Sequence, residues 1–100
     1  MADGLIRERW DTLSKELKVA VEIHRLTKAG EIPYFSRIAK NLEGEGMSQT
    51  TVHNAIDNLM DLGTINAQWA KIDSRWVRRF FVAGESREFI GKLADGLYER

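Results

Sequence analysis

Polar side chains that can hydrogen-bond to the bases of a nucleic acid are concentrated in the heptapeptide SQTTVHN, residues 48–54. The amide groups of Gln and Asn can pair with adenine in bidentate fashion, and the methyl group of Thr can contact the methyl group of thymine. Hydroxyl groups and backbone N–H groups at the start of a helix can hold a phosphate. This chemistry nominates six candidate DNA-contacting residues, Ser48, Gln49, Thr50, Thr51, His53 and Asn54.

Positive charge lies outside this heptapeptide. Residues 41–70 contain no Lys or Arg and carry a charge of −4, whereas residues 71–79 carry a net charge of +3. Cations in the second segment could supply affinity for phosphates, while the uncharged side chains discriminate between base sequences. Asp57 and Asp61 are expected toward the end of their helix, farther from a DNA groove. The basic segment adds four candidate residues, Lys71, Arg75, Arg78 and Arg79.

Several of these candidates have a plainer alternative. Gln49, Thr50 and Asn54 could form a solvated polar face, and for His53 a direct contact and a plain surface position are equally compatible with the sequence. In a strand, Arg78 and Arg79 must point to opposite faces, so at most one of them is expected to face a given partner.

Composition excludes several classes of protein. The 100 residues have zero net charge, 43% hydrophobic residues and 30% charged residues, which is typical of one soluble domain. The absence of cysteine excludes disulfides, thiolate zinc sites and cysteine catalysis. No run of apolar residues is long enough for a membrane span or a signal peptide, so we expect a cytoplasmic protein.

Catalytic and metal-binding constellations are not evident in the sequence. Neither histidine neighbours a plausible nucleophile, and the carboxylates are scattered among lysines. His24 lies on an apolar stripe and is expected to be a half-buried structural residue rather than a ligand. We therefore expect no enzyme activity, no metal site and no cofactor.

Helical periodicity dominates the first half of the chain. Residues 8–29 repeat apolar side chains at helical spacing on two flanks, which predicts a first helix that ends at Gly30. Pro33 suits the first turn of a second helix. Residues 43–47, EGEGM, interrupt that helix because glycine weakens helices.

A third helix is predicted to follow, with Ser48 as its N-cap and Gly63 at its end. From Thr64 to Ala83 the hydrophobic period changes to two, which predicts a hairpin turning at Asp73-Ser74. One face of this hairpin is predicted to be buried, with both of its tryptophans in the core: Ile65, Ala67, Trp69, Trp76, Phe80 and Val82. A last amphipathic helix is predicted over residues 85–100.

Three segments in this order resemble winged helix-turn-helix transcription regulators. FSRIAKNL is similar to their second helix, MSQTTVHNAIDNLMDLGTI to their recognition helix and DSRWVRRFFV to their wing. The resemblance is strongest to the multiple-antibiotic-resistance-regulator (MarR-like) type, archaeal or bacterial, and it covers roughly residues 34–83. The turn at residues 43–47 is longer than that of the motif, and the recognition helix is more acidic than usual.

The resemblance implies a mainly α fold with a small β-hairpin (α+β), in the order helix-helix-helix-strand-strand-helix. It implies a single winged-helix domain over residues 1–100, divided into an N-terminal arm (1–9), a helix-turn-helix (34–62), a wing hairpin (64–83) and a C-terminal helix (85–100). It further implies sequence-specific binding of double-stranded DNA, with helix 48–62 in the major groove and wing residues 71–79 on the backbone or minor groove.

A homodimer through the first and last helices is expected, since their apolar surface exceeds what one core needs. The sequence identifies no small-molecule effector. Zero net charge and the acidic segment also leave open a winged-helix module that binds another protein instead of DNA. An RNA-binding winged helix is a more distant alternative.

Overall fold

Five helices and one hairpin make up the part of the chain that the structure, a computed structural model, describes: residues 4–98. The elements are α1 (Arg7–Asp11), α2 (Lys15–Lys28), α3 (Phe35–Glu43), α4 (Gln49–Asp61), β1 (Ile65–Ile72), β2 (Arg75–Val82) and α5 (Gly84–Gly96). This order confirms the predicted fold class, a mainly α protein with a small antiparallel hairpin in the winged helix-turn-helix arrangement.

The predicted first helix is divided into two, which corrects its start. Arg7 begins the short helix α1, so the arm is partly helical. Ser14 is extended (φ −64°, ψ 162°), and its hydroxyl accepts a hydrogen bond from the Leu17 N–H at 3.1 Å. This N-cap starts a new helix, although the apolar spacing continues through Leu13.

Helix α2 forms the centre of the hydrophobic core. It packs against α4 and α5 and also contacts α3 and β2. Burial on two sides explains its broad apolar surface, as predicted from the sequence. Its fully or almost fully buried apolar residues are Val19, Ala20, Val21, Ile23 and Leu26.

The connection from α2 to α3 differs from the prediction that Pro33 starts a helix. Pro33 is buried, and its carbonyl accepts a hydrogen bond from the Phe80 N–H at 2.8 Å. Tyr34 forms an isolated antiparallel bridge with Arg79. Because this segment pairs with the edge of β2, α3 begins only at Phe35.

The hairpin has the predicted two-residue turn. Asp73 (φ 49°) and Ser74 (φ 67°) are both left-handed, which matches the twist of the flanking strands. The register pairs Ile65 with Val82 and Ala67 with Phe80 at the base of the hairpin. These pairs lie over the core, so the wing is anchored at its base.

The predicted C-terminal helix over residues 85–100 is shorter in the structure. Helix α5 ends at Gly96, and Tyr98 forms a bridge with Leu5. The Ile6 N–H donates a hydrogen bond to the Leu97 carbonyl at 2.6 Å. Pairing with the N-terminal segment replaces the last helical turn, and residues 99–100 lie outside the described range.

Candidate nucleic-acid interface

The outer face of α4 carries the uncharged polar candidates. Burial of Val52, Ala55, Ile56 and Leu59 against the core fixes how the helix is rotated. The opposite side chains are therefore in solvent. The exposed candidates on this face are Gln49, Thr50, His53 and Asn54.

Ser48 and Thr51 form the start of α4 rather than its outer face. The Ser48 hydroxyl accepts a hydrogen bond from the Thr51 N–H at 3.1 Å and donates one to Thr51 Oγ1 at 3.0 Å. Thr51 is half-buried. The first backbone N–H groups of a helix have no acceptor within it, so this end can still hold an anion.

His53 sits at the side of α4 nearest the wing. Its Nδ1 lies 3.3 Å from Asp57 Oδ2, and its ring meets Phe35 edge-on with centroids 5.9 Å apart. Asp57 thus lies beside a ring nitrogen of His53. Asp61 lies elsewhere, beside Leu62 in an apolar groove against α5.

The four cationic candidates divide between the two faces and the tip of the wing. Arg75 pairs with Ile72 beside the turn, and Lys71 pairs with Trp76. Arg78 faces the core side, where its guanidinium lies 5.4 Å from the Phe80 ring centroid. Since side chains alternate, Arg79 points to the other face of the hairpin.

Both wing tryptophans are exposed, which corrects the prediction that they belong to the core. The exposed fractions of Trp69 and Trp76 are 66% and 63%. They do lie on the same face as Phe80, as predicted, but the helices do not cover this part of the hairpin. Lys71 Nζ lies 5.9 Å from the Trp76 ring centroid. The sequence favoured the core and left a base-stacking surface as the second alternative, because a period of two identifies a face and not how much of it is covered.

A cleft of about 310 Å³ separates the wing from the helix-turn-helix. His53 and Asp57 of α4 line one wall, and Trp69, Trp76 and Arg78 of the hairpin line the other. The exposed polar face of α4 and one basic face of the wing therefore border a common concave surface. His53 and Arg78 are the two candidates that line this cleft. Ser48 and Thr51 cap α4, and Arg79 lies on the opposite face of the hairpin.

Within residues 4–98, no three His, Asp or Glu side chains are grouped as a metal site would require. In the same range, no helix is long and apolar enough to cross a membrane.

No protein-family model matches the chain, and no curated protein matches it. Three solved structures are similar to this chain over most of its length. The circadian clock associated protein Pex from Anabaena is similar with a TM-score of 0.64 and 24% identity, over 85% of this chain and 77% of that one. The SSV1 protein F-93 has a TM-score of 0.64 and 16% identity, over 84% and 86% of the two chains.

Pex from a Synechococcus species has a TM-score of 0.58 and 26% identity, over 85% of this chain and 80% of that one. These similarities extend over most of each chain. They show a shared winged-helix fold.

Proposed function

We propose that this protein binds double-stranded DNA in a sequence-specific manner as a transcription regulator. The observation that carries the proposal is that His53 and Asp57, on the exposed side of α4, face Trp69, Trp76 and Arg78 of the wing across one cleft. In this proposal the N-terminal half of α4 enters the major groove, and the wing lies on the adjacent backbone or minor groove.

Recognition and affinity would come from different elements. Gln49, Thr50 and Asn54 are uncharged and exposed, so they can meet base edges without help from a cation. Lys71, Arg75 and Arg78 would contact phosphates, which supply much of the affinity of DNA-binding proteins. Asp61 lies away from this cleft, in the groove against α5, whereas Asp57 lies on the wall of the cleft beside His53.

We further propose a homodimer through the first and last helices, the arrangement of the MarR-like regulators that the sequence resembles. An apolar groove between α2, the end of α4 and α5 supports it. Leu62 and Phe89 on this groove are 76% and 59% exposed. Large exposed apolar side chains are typical of association surfaces. A symmetric dimer would present two copies of α4 about 34 to 36 Å apart.

Fluorescence anisotropy of a labelled random duplex pool, titrated with the protein at low salt, tests DNA binding directly. We expect saturable binding that weakens as salt is raised, because phosphate contacts release counterions. Selection from a random duplex library should then enrich a near-palindrome.

Sedimentation tests the homodimer. The wild type should sediment as a dimer and Phe89→Lys as a monomer. A wild-type monomer at micromolar concentration would remove the dimer from the proposal.

A protein-binding winged helix is the second candidate function, favoured by one observation. Residues 41–70 carry four carboxylates and no Lys or Arg, so this side of the domain could repel a duplex. Absence of salt-dependent DNA binding in the same titration would favour this candidate. Preference for structured or single-stranded RNA would instead indicate an RNA-binding winged helix.

A further inference from the structure

A second cavity, of about 560 Å³, lies between the end of α2, the hairpin and the start of α5. It opens on the face of the hairpin that carries Gln68, Arg79 and Phe81, opposite the face that carries Trp69 and Arg78. Its volume is within the range of roughly 300 to 1,000 Å³ that is common for small-molecule sites. The cavity is therefore separate from the candidate DNA interface.

The charged groups that line this cavity are all basic. These basic side chains are Lys28, Arg79 and Arg87, and no carboxylate is among the lining residues. Within residues 4–98, Arg79 and Arg87 have no Asp or Glu oxygen within 4.0 Å. Lys28 reaches only Asp95, at 4.0 Å, and both of those side chains are largely exposed. The protein as a whole has zero net charge, so this excess of positive charge is confined to one part of its surface.

The remaining lining can hold the uncharged part of a ligand. Phe81 is half-buried and offers a ring, with the Arg79 guanidinium 6.0 Å from its centroid. His24 is half-buried and packs closely against Gly91 of α5, since a Cβ atom at that glycine would lie 3.6 Å from His24 Cε1. Its imidazole and the Gln68 amide are hydrogen-bonding groups that line the cavity.

We propose that this cavity binds a small organic phosphate monoester. The planar guanidinium groups of Arg79 and Arg87 match the oxygen geometry of a phosphate, and each can donate two parallel hydrogen bonds. A phosphate monoester carries close to two negative charges at neutral pH, so it compensates three cations better than a single carboxylate does. The organic group would lie against Phe81.

Calorimetric titration of the full chain with phenyl phosphate tests this proposal. Phenol and inorganic phosphate, which carry only the ring or only the anion, are the matched probes. We expect saturable binding of phenyl phosphate, weaker binding of inorganic phosphate and none of phenol. Arg79→Gln and Arg87→Gln should each weaken phenyl phosphate binding about tenfold, the effect expected for a lost hydrogen bond to a charged group.

Arg75→Gln is the matched control, because Arg75 is on the same strand as Arg79 but does not line the cavity. It should leave phenyl phosphate binding unchanged while it weakens DNA binding. Arg87 lies on the exposed surface of α5, so its substitution should not disturb folding, and equal thermal midpoints would verify this.

The proposal is overturned if phenyl phosphate shows no saturable binding at millimolar concentration, or if it binds both Gln variants as it binds the wild type. It is also overturned if Arg79→Gln lowers DNA affinity and its salt dependence as much as Arg75→Gln does, since the cavity would then hold a DNA phosphate. Failure of DNA binding alone, with phenyl phosphate bound as expected, would remove the proposed function and leave this site intact.

Discussion

The indole Nε1 of Trp10 donates a hydrogen bond of 3.0 Å to Glu45 Oε1, although the two residues are 35 positions apart. The same carboxylate accepts a hydrogen bond of 2.5 Å from Arg7 Nη1. Glu45 lies in the turn between α3 and α4, so α1 is fastened to the turn of the helix-turn-helix. This contact connects the segment that precedes α4 to the N-terminal helix of the fold.

Removal of the Glu45 acceptor should destabilise the fold. Trp10 is only 3% exposed, so Glu45→Ala leaves its N–H unsatisfied, at a cost of about 1 to 2 kcal/mol. Glu45→Gln keeps an acceptor and should cost less. Urea denaturation of both variants checks the order, with Glu43→Ala, an exposed position at the end of α3, as control. Equal stability of Glu45→Ala and Glu43→Ala would contradict the structural role of this contact.

The same carboxylate should make stability depend on pH. The hydrogen bond from Arg7 holds the pKa of Glu45 below its ordinary value of 4.5, against the opposing effect of partial burial. A lowered folded-state pKa stabilises the fold above the unfolded-state pKa, and this stabilisation is lost as the pH falls through the lowered value. The stability difference between wild type and Glu45→Gln should therefore narrow as the pH is lowered from 5 toward 3. A constant difference over that range would be inconsistent with this pairing.

Arg75→Ala should weaken DNA binding similarly on all sequences. An exposed cation at the wing tip that contacts a phosphate contributes to affinity but carries no base information. We expect the slope of log affinity against log salt to fall in magnitude by about one. Anisotropy titrations over a series of salt concentrations measure it. Lys92→Ala, which removes an exposed cation from α5, is the control and should leave the slope unchanged.

Gln49→Ala and Asn54→Ala should change sequence preference instead. Loss of a bidentate contact to a base should cost about 1 to 3 kcal/mol on the selected duplex and little on random DNA. Asn58→Ala is a close control one turn along α4, because the Asn58 amide donates to Glu16 at 3.1 Å rather than facing the groove. If cognate and random duplexes lose affinity equally in both variants, α4 does not read the bases.

The paired substitution of Trp69 and Trp76 by Thr should lower DNA affinity without changing its salt dependence. Threonine keeps the β-propensity of the strands and removes the exposed rings. Gln68→Thr, on the opposite face of β1, is the control. In the wild type, DNA should also protect tryptophan emission from acrylamide, since Trp10 is already buried. Unaltered affinity and unaltered quenching would exclude the wing aromatics from the interface.

The bounds of α4 and the hairpin turn could be predicted because each depends on local chemistry. Ser48 as an N-cap, Gly63 as a stop and Asp73-Ser74 as a turn are all settled within a few residues. Pro33 could not be placed in the same way. Its pairing with Phe80 joins segments that are distant in sequence.

Two further features, the break between α1 and α2 and the exposure of the wing tryptophans, could not be predicted from the sequence either. The spacing of Trp10, Leu13 and Leu17 is helical on both sides of Ser14, so only the capping geometry reveals the break. Trp69 and Trp76 continue the apolar alternation of the hairpin beyond the point where helices cover it. How far a face is covered depends on the lengths of packed elements, which the alternation does not encode.

The burial of the wing decreases from base to tip, and this has a dynamic consequence. The base pairs Ile65–Val82 and Ala67–Phe80 are held by the core, whereas Ile72–Arg75 adjoins a turn with two left-handed residues, neither of them glycine. Such a segment opens locally at a smaller free-energy cost than the rest of the hairpin. When a partner binds the tip, the tip loses conformational entropy, and part of the binding free energy offsets this loss. A contact at the tip therefore adds less affinity than the same contact at the rigid base.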